Sequence, residues 1–134
     1  MSNLSVKITP ENVPLPQNEI IQIVHNSFER LRPGLTDKLE VEIMFVDNNE
    51  IKSLNVKHRD IDTPTDVLSF PQSQFKEAKE NILGSIIICP EIVKEKNEDI
   101  SDVIKHGLLH LLGYDHEENE AEWEKAAKLI ECDL

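Results

Sequence analysis

Apolar positions along the chain change period several times, and each change marks an element. Residues 18–31 place Ile20, Val24, Ser27/Phe28 and Leu31 near helical spacing, with Asn18 as the N-cap and Pro33-Gly34 as the stop. Ahead of this helix, residues 1–17 carry Pro10, Pro14 and Pro16 and read as a strand-like start followed by a loop. Leu39-Glu40-Val41-Glu42-Ile43-Met44-Phe45-Val46 alternates in its first half and is continuously apolar in its second. That is the pattern of a strand buried more deeply at one end. Asp47-Asn48-Asn49 punctuates, and residues 50–57 read as a short helix with Ile51 and Leu54 inward. Thr63-Pro64-Thr65-Asp66 is a turn, and Val67-Leu68-Ser69-Phe70 a short strand ended by Pro71.

Residues 72–81 are polar and are expected to form a mobile loop. Residues 82–89 form a strand too apolar to be half exposed; Pro90 ends it and suits the first turn of a helix over 91–96. Ser101 reads as the cap of a helix running to Leu112, with Asp102 in its first turn and Gly113 as its left-handed stop. A last helix over 118–132 gathers Trp123, Ala126, Ala127 and Ile130 on one face. The order of elements predicts an α/β (α+β) fold, a small mixed sheet of about four strands covered by helices.

At 134 residues the expectation is one domain, 1–134, large enough to bury a core without disulfides. The two cysteines, Cys89 and Cys132, lack metal-ligand spacing and read as reduced, buried thiols. No apolar run is long enough to span a bilayer, and the first residues show no signal-peptide pattern, so the expected location is cytoplasmic, with no membrane partner. The net charge of −12 resists non-specific attachment to nucleic acid. An RNA substrate therefore requires a local basic patch or a metal, and Lys57, Arg59 and Lys105 are candidates for the patch.

The densest chemistry lies in His106-Gly107-Leu108-Leu109-His110-Leu111-Leu112-Gly113-Tyr114-Asp115-His116, which holds three of the chain's five histidines. His106 and His110 lie one turn apart on one helix face. Gly113 lets the chain reverse and bring His116 toward the same point. Three neutral imidazoles suit one Zn²⁺ with a fourth position open, though nickel, cobalt or iron also accept this donor set. Such an ion lowers the pKa of bound water to about 7. The spacing resembles the zinc motif of metzincin proteases, but those carry Glu where this chain has Gly107, and no Met follows the motif here. For His25 and His58 a surface or core role is the expectation. Asp66 divides between a turn or cap role and a partner for a histidine N–H, and Asp115 between orienting a ligand and simple solvation.

Taken with Pro64-Thr65-Asp66-Val67-Leu68-Ser69-Phe70-Pro71 and Ile86-Ile87-Ile88-Cys89-Pro90, this segment resembles the YbeY endoribonuclease family over roughly residues 40–130. The resemblance implies a zincin-like mixed fold and a metal-dependent, single-strand-specific endoribonuclease of ribosomal RNA maturation and ribosome quality control. It implies rRNA as substrate, and the ribosome or ribosomal proteins as partners. It also implies His106, His110 and His116 as the metal ligands, one zinc per chain, and Arg59 as a catalytic residue. Two departures are visible. Gly84-Ser85 stands where the family usually has Gly-Asp, and the segment from Pro90 to His106 is shorter than the family's. The alternatives from the residues themselves are a zinc peptidase or amidase and a ribosome-assembly factor with a structural metal.

Overall fold

The computed structural model describes residues 4–10, 13–35, 38–72 and 81–133. The polar segment expected to be a loop lies almost wholly outside them. In chain order the elements are β1 (Leu4–Thr9), α1 (Gln17–Leu31), β2 (Leu39–Phe45), α2 (Asn48–Arg59), β3 (Val67–Pro71), β4 (Ile82–Ile88), α3 (Pro90–Glu95), α4 (Ile100–Leu111) and α5 (Glu120–Leu129). The strands form one sheet in the order β1-β2-β4-β3. β1, β2 and β4 are parallel, with Ile8 opposite Ile43 and Ile43 opposite Ile86; β3 runs antiparallel on the edge, with Ser69 opposite Ile86. The fold class expected from the element order is the one observed.

Parallel strands need cover on both faces. On one face α1 and α4 supply it: Ile20, Val24 and Phe28 of α1 and Ile104 and Leu108 of α4 pack with Val41, Ile43, Ile86 and Ile88. On the other face Ile51 of α2 packs with Val46, Leu68, Ile87 and Cys89. The continuous Ile-Ile-Ile run of β4 is thus explained by its central place and its two buried faces. α4 is itself covered by α5 through Leu109, Trp123, Ala126, Ala127 and Ile130. Its buried positions, Val103, Ile104, Gly107, Leu108, Leu109 and Leu111, serve both layers, while His106 and His110 stay partly exposed.

Several local expectations are corrected. Asn18 does not cap α1; Pro16 occupies that position without a side-chain bond, and its carbonyl accepts from Glu19 and Ile20 N–H. Ser101 does not cap α4 either. Asp99 does, accepting from Ser101 N–H at 2.7 Å. A carboxylate there adds charge–dipole attraction to the hydrogen bond, which a hydroxyl does not. α2 starts earlier than read, capped by Asp47 through Glu50 N–H, and α5 starts later, capped by Asn119. Leu54 is only partly buried and packs on the edge of the α2-side core, whereas Asn55 is 2 % exposed. Its Nδ2 donates to the Thr63 carbonyl at 2.8 Å and so ties the 63–66 turn to α2.

Candidate metal centre

α4 ends with two backbone bonds that reverse the chain: Tyr114 N–H donates to the Leu109 carbonyl and Gly113 N–H to the His110 carbonyl. This is a Schellman ending, and Gly113 takes the positive φ it requires, +93°. Arg32, at the end of α1, holds the reversal in place. Its guanidinium donates to the Tyr114 hydroxyl at 3.0 Å and to the Leu112 carbonyl at 3.4 Å, and lies 5.5 Å from the Tyr114 ring centre. The Asp115 carboxylate accepts from Glu117 N–H at 2.9 Å, which makes it a turn residue.

The reversal brings the three predicted imidazoles together. His106 and His110 face each other through their Nε2 atoms at 3.2 Å. The His116 ring centre is 6.4 Å from each of the other two. Two nitrogens each about 2.0–2.1 Å from one zinc ion at a tetrahedral angle would stand roughly 3.3 Å apart, so the first pair already fits one ion. His116 is more exposed and farther away. Among the described residues no three His, Cys, Asp or Glu side chains close to metal-holding distance. The donor chemistry fits a metal of this type, and His116 is the member that has to approach. His106 Nδ1 is buried with no hydrogen-bond partner among the described residues.

Burial, and then the neighbouring His110, lower the pKa of His106 to about 4. Burial also pulls His110 below the ordinary histidine range, against the opposing charge of Asp115. Both rings are therefore neutral at pH 7, the form that offers a lone pair to a cation. Trp123 of α5 forms the floor, its ring 5.0, 5.1 and 5.3 Å from His106, His110 and His116. The sequence had placed Trp123 only in the apolar face of the last helix.

Gly107 is explained by packing. A Cβ there would sit 2.6 Å from Ile86 Cγ2, on a side chain that is fully buried. α4 is pressed against β4 at that point. A side chain at 107 would point into the sheet and away from the imidazoles, so this position cannot supply a general base.

The imidazoles open into a cleft of about 760 Å³ between α4 with its reversal, the edge strand β3, and the end of α2. Arg59 lines it, as the sequence proposed. So does His58, for which a surface or core role had been expected; its ring lies 4.8 Å from Phe70. Of the three cations proposed for a basic patch, only Arg59 borders the cleft among the described residues. Lys57 lines a separate shallow groove with Lys52, and Lys105 donates to the Glu131 carbonyl at 3.3 Å. Each is one residue from a cleft-facing position, and one residue turns the direction by about 100° on a helix. Asp66 also lines the cleft, where its carboxylate accepts from Val67 N–H at 2.9 Å and Thr65 hydroxyl at 3.2 Å, which is a capping role.

The family model described as Endoribonuclease YbeY matches residues 5–131. The chain belongs to the YbeY family. Among curated relatives, the Endoribonuclease YbeY of Aliarcobacter butzleri is 43% identical over 114 residues, covering 78% of this chain and 80% of the relative. That of Sulfurovum sp. is 36% identical over 131 residues, covering 89% and 88%. The solution structure of TM1509 from Thermotoga maritima is similar with a TM-score of 0.55 at 30% identity, covering 94% of this chain and 87% of that one. The two departures from the family pattern both fall away from the imidazoles. Ser85 pairs with Glu42 on the adjoining strand, its hydroxyl 3.4 Å from the carboxylate, and is not among the residues bordering the cleft. None of residues 90–105 borders the cleft either.

Proposed function

We propose that this chain is a single-domain, cytoplasmic, metal-dependent endoribonuclease that cuts single-stranded RNA in rRNA maturation and ribosome quality control. Family membership and the convergence of His106 Nε2 and His110 Nε2 at 3.2 Å, with His116 equidistant from both rings, support this reading. His106, His110 and His116 would hold one ion, zinc first, with nickel, cobalt and iron compatible with the same donors. When bound, such an ion supplies Lewis acidity toward a phosphate oxygen and lowers the pKa of water.

The chain's own residues do the rest. The neutral imidazoles of His106 and His110 hold their lone pairs ready without first losing protons. Trp123 excludes water behind them. Arg59, exposed at the cleft mouth, offers a planar fork of N–H donors to a phosphodiester and offsets the negative charge that grows on its oxygens. With four acidic residues (Asp66, Asp115, Glu117 and Glu118) also bordering the cleft, RNA is held by few contacts and not by a broad basic surface. The ribosome or its basic proteins are the partners this acidic surface suits.

A peptidase of the metzincin type is disfavoured by the orientation of position 107, which faces Ile86. The assembly-factor reading, with a purely structural ion, predicts that His110→Ala unfolds the protein. The enzyme reading predicts that His110→Ala stays folded and cuts a single-stranded RNA at least about 100-fold more slowly, and that Arg59→Ala loses roughly 10–100-fold. Cleavage by wild type that survives a chelator, or undiminished cleavage by His110→Ala, would sink the metal-dependent reading. A 2′,3′-cyclic phosphate product would assign the attack to the RNA 2′-hydroxyl instead of water.

A further inference from the structure

Glu98 lies in the short connection between α3 and α4, outside the motifs already discussed. Its position is fixed by the backbone. α3 ends in a Schellman pair, Glu98 N–H to the Val93 carbonyl at 3.0 Å and Asn97 N–H to Lys94 at 3.1 Å, with Asn97 at φ +56°. This turn aims the Glu98 side chain at Asp66. Glu98 Oε1 is sealed from solvent, and no N–H or O–H group of the described residues donates to it. The Glu98 carboxyl group lies within hydrogen-bonding reach of the Asp66 carboxyl. Two carboxyl groups in that arrangement share a proton, since neither can donate to the other when both are ionised.

Asp66 is committed on its other side. Its Oδ1 accepts from Val67 N–H and the Thr65 hydroxyl and stands 3.6 Å from Lys96 Nζ, and its main-chain carbonyl accepts from Cys89 N–H at 2.9 Å. Asp66 therefore anchors the start of β3, the cleft wall opposite α4. We propose that Glu98 is a positioning residue of the cleft, its carboxyl proton donated to Asp66 and fixing, through Asp66, the β3 wall against which RNA is held. This rests on the endoribonuclease reading above and adds a residue to it.

The charged groups around the pair are Lys96 from the end of α3 and, more distantly, His106 of α4, which feels the Asp66 charge. Burial, the hydrogen bond to Asp66 and the Asp66 charge push Glu98 up to about 7. Asp66 itself is held below the ordinary aspartate range; burial opposes this, and the bond from Glu98, the Lys96 charge and Thr65 outweigh it. A raised carboxyl binds its proton more tightly in the folded chain than in the unfolded one. Stability accordingly falls as pH rises from the ordinary glutamate range to about 7, then levels.

The test compares metal-loaded wild type, Glu98→Gln and Glu98→Leu by single-stranded RNA cleavage and by thermal melting between pH 5 and 9. The Gln amide donates to Asp66 at every pH. Wild-type kcat should fall about fivefold between pH 7 and 8 through one ionisation near 7, and Glu98→Gln should not show this fall. Glu98→Leu should lower kcat roughly tenfold at all pH with KM within about threefold, as for a group that never touches RNA. From pH 5 to 8 the Tm of Glu98→Gln should gain roughly 3 °C on wild type. Superimposable cleavage profiles for wild type and Glu98→Gln overturn the proposal, whatever the melting shows. If wild type cuts no RNA at all, the endoribonuclease reading falls, and a pH-independent Tm difference would separately overturn the shared proton.

Discussion

At the scale of single residues, two positions carry opposite lessons about packing. An alanine at 107 gains about 1 kcal/mol of helix propensity over glycine. Its Cβ, however, would press on the fully buried Ile86, and overpacking of that kind costs typically about 1–3 kcal/mol. Overpacking should win, so Gly107→Ala is expected to lower stability by ~1 kcal/mol, read from the urea midpoint at constant m-value; a stabilised variant would contradict the account of α4 on β4. His106 shows what burial does to charge. Its folded pKa, about 4, lies below the unfolded value of 6.5, so the unfolded chain binds more protons between those limits. The stability of chelator-treated protein should therefore decline as pH falls from 6.5 toward 4. Urea unfolding across that range should show a shallower decline in His106→Leu, and an equal slope in both proteins would show that His106 is not the group responsible.

At the scale of elements, the reversal after α4 is what turns a helical histidine pair into a trio. Gly113 has open space around its missing Cβ, so only its φ of +93° resists substitution. Gly113→Ala should cost roughly 1–2 kcal/mol and, by loosening the reversal, weaken metal affinity more than an equally destabilising change far from the site. Calorimetric metal titration checks this, and unchanged affinity would mean His116 is placed by other means. This element was legible in the sequence because its signals are local: histidines four apart, a glycine at the stop, a third histidine three residues on. The strands were legible too, from the alternation in residues 39–46 and the isoleucine run in β4. Caps were read less well. Asn18, Asp99 and Ser101 all have capping side chains, and the choice among them depends on where the packed face of each helix begins, which is a tertiary fact. His58, Arg32 and Trp123 were missed as neighbours of the site for the same reason. Each comes from a different helix, and only the sheet order and the stacking of α5 on α4 bring them there.

At the scale of the whole molecule, the sheet faces are sealed by α1 and α4 on one side and α2 on the other, and the edge strand β3 is left bordering the cleft. α4 and the reversal after it carry the imidazoles, and the end of α2 brings Arg59 across from them. The net charge of −12 includes four acidic residues at the cleft itself, so recognition of RNA there falls to a few contacts led by Arg59. The central claim is that the three imidazoles act on one ion. The chain's sole tryptophan, Trp123, lies about 5 Å from all three rings, so its fluorescence is a built-in reporter. Titration of chelator-stripped protein with Zn²⁺, followed by Trp123 emission, should break at one ion per chain, and His116→Ala should weaken that binding by at least about 100-fold while remaining folded. Binding of equal strength and stoichiometry in His116→Ala, or no saturable response in wild type, would contradict the three-histidine site.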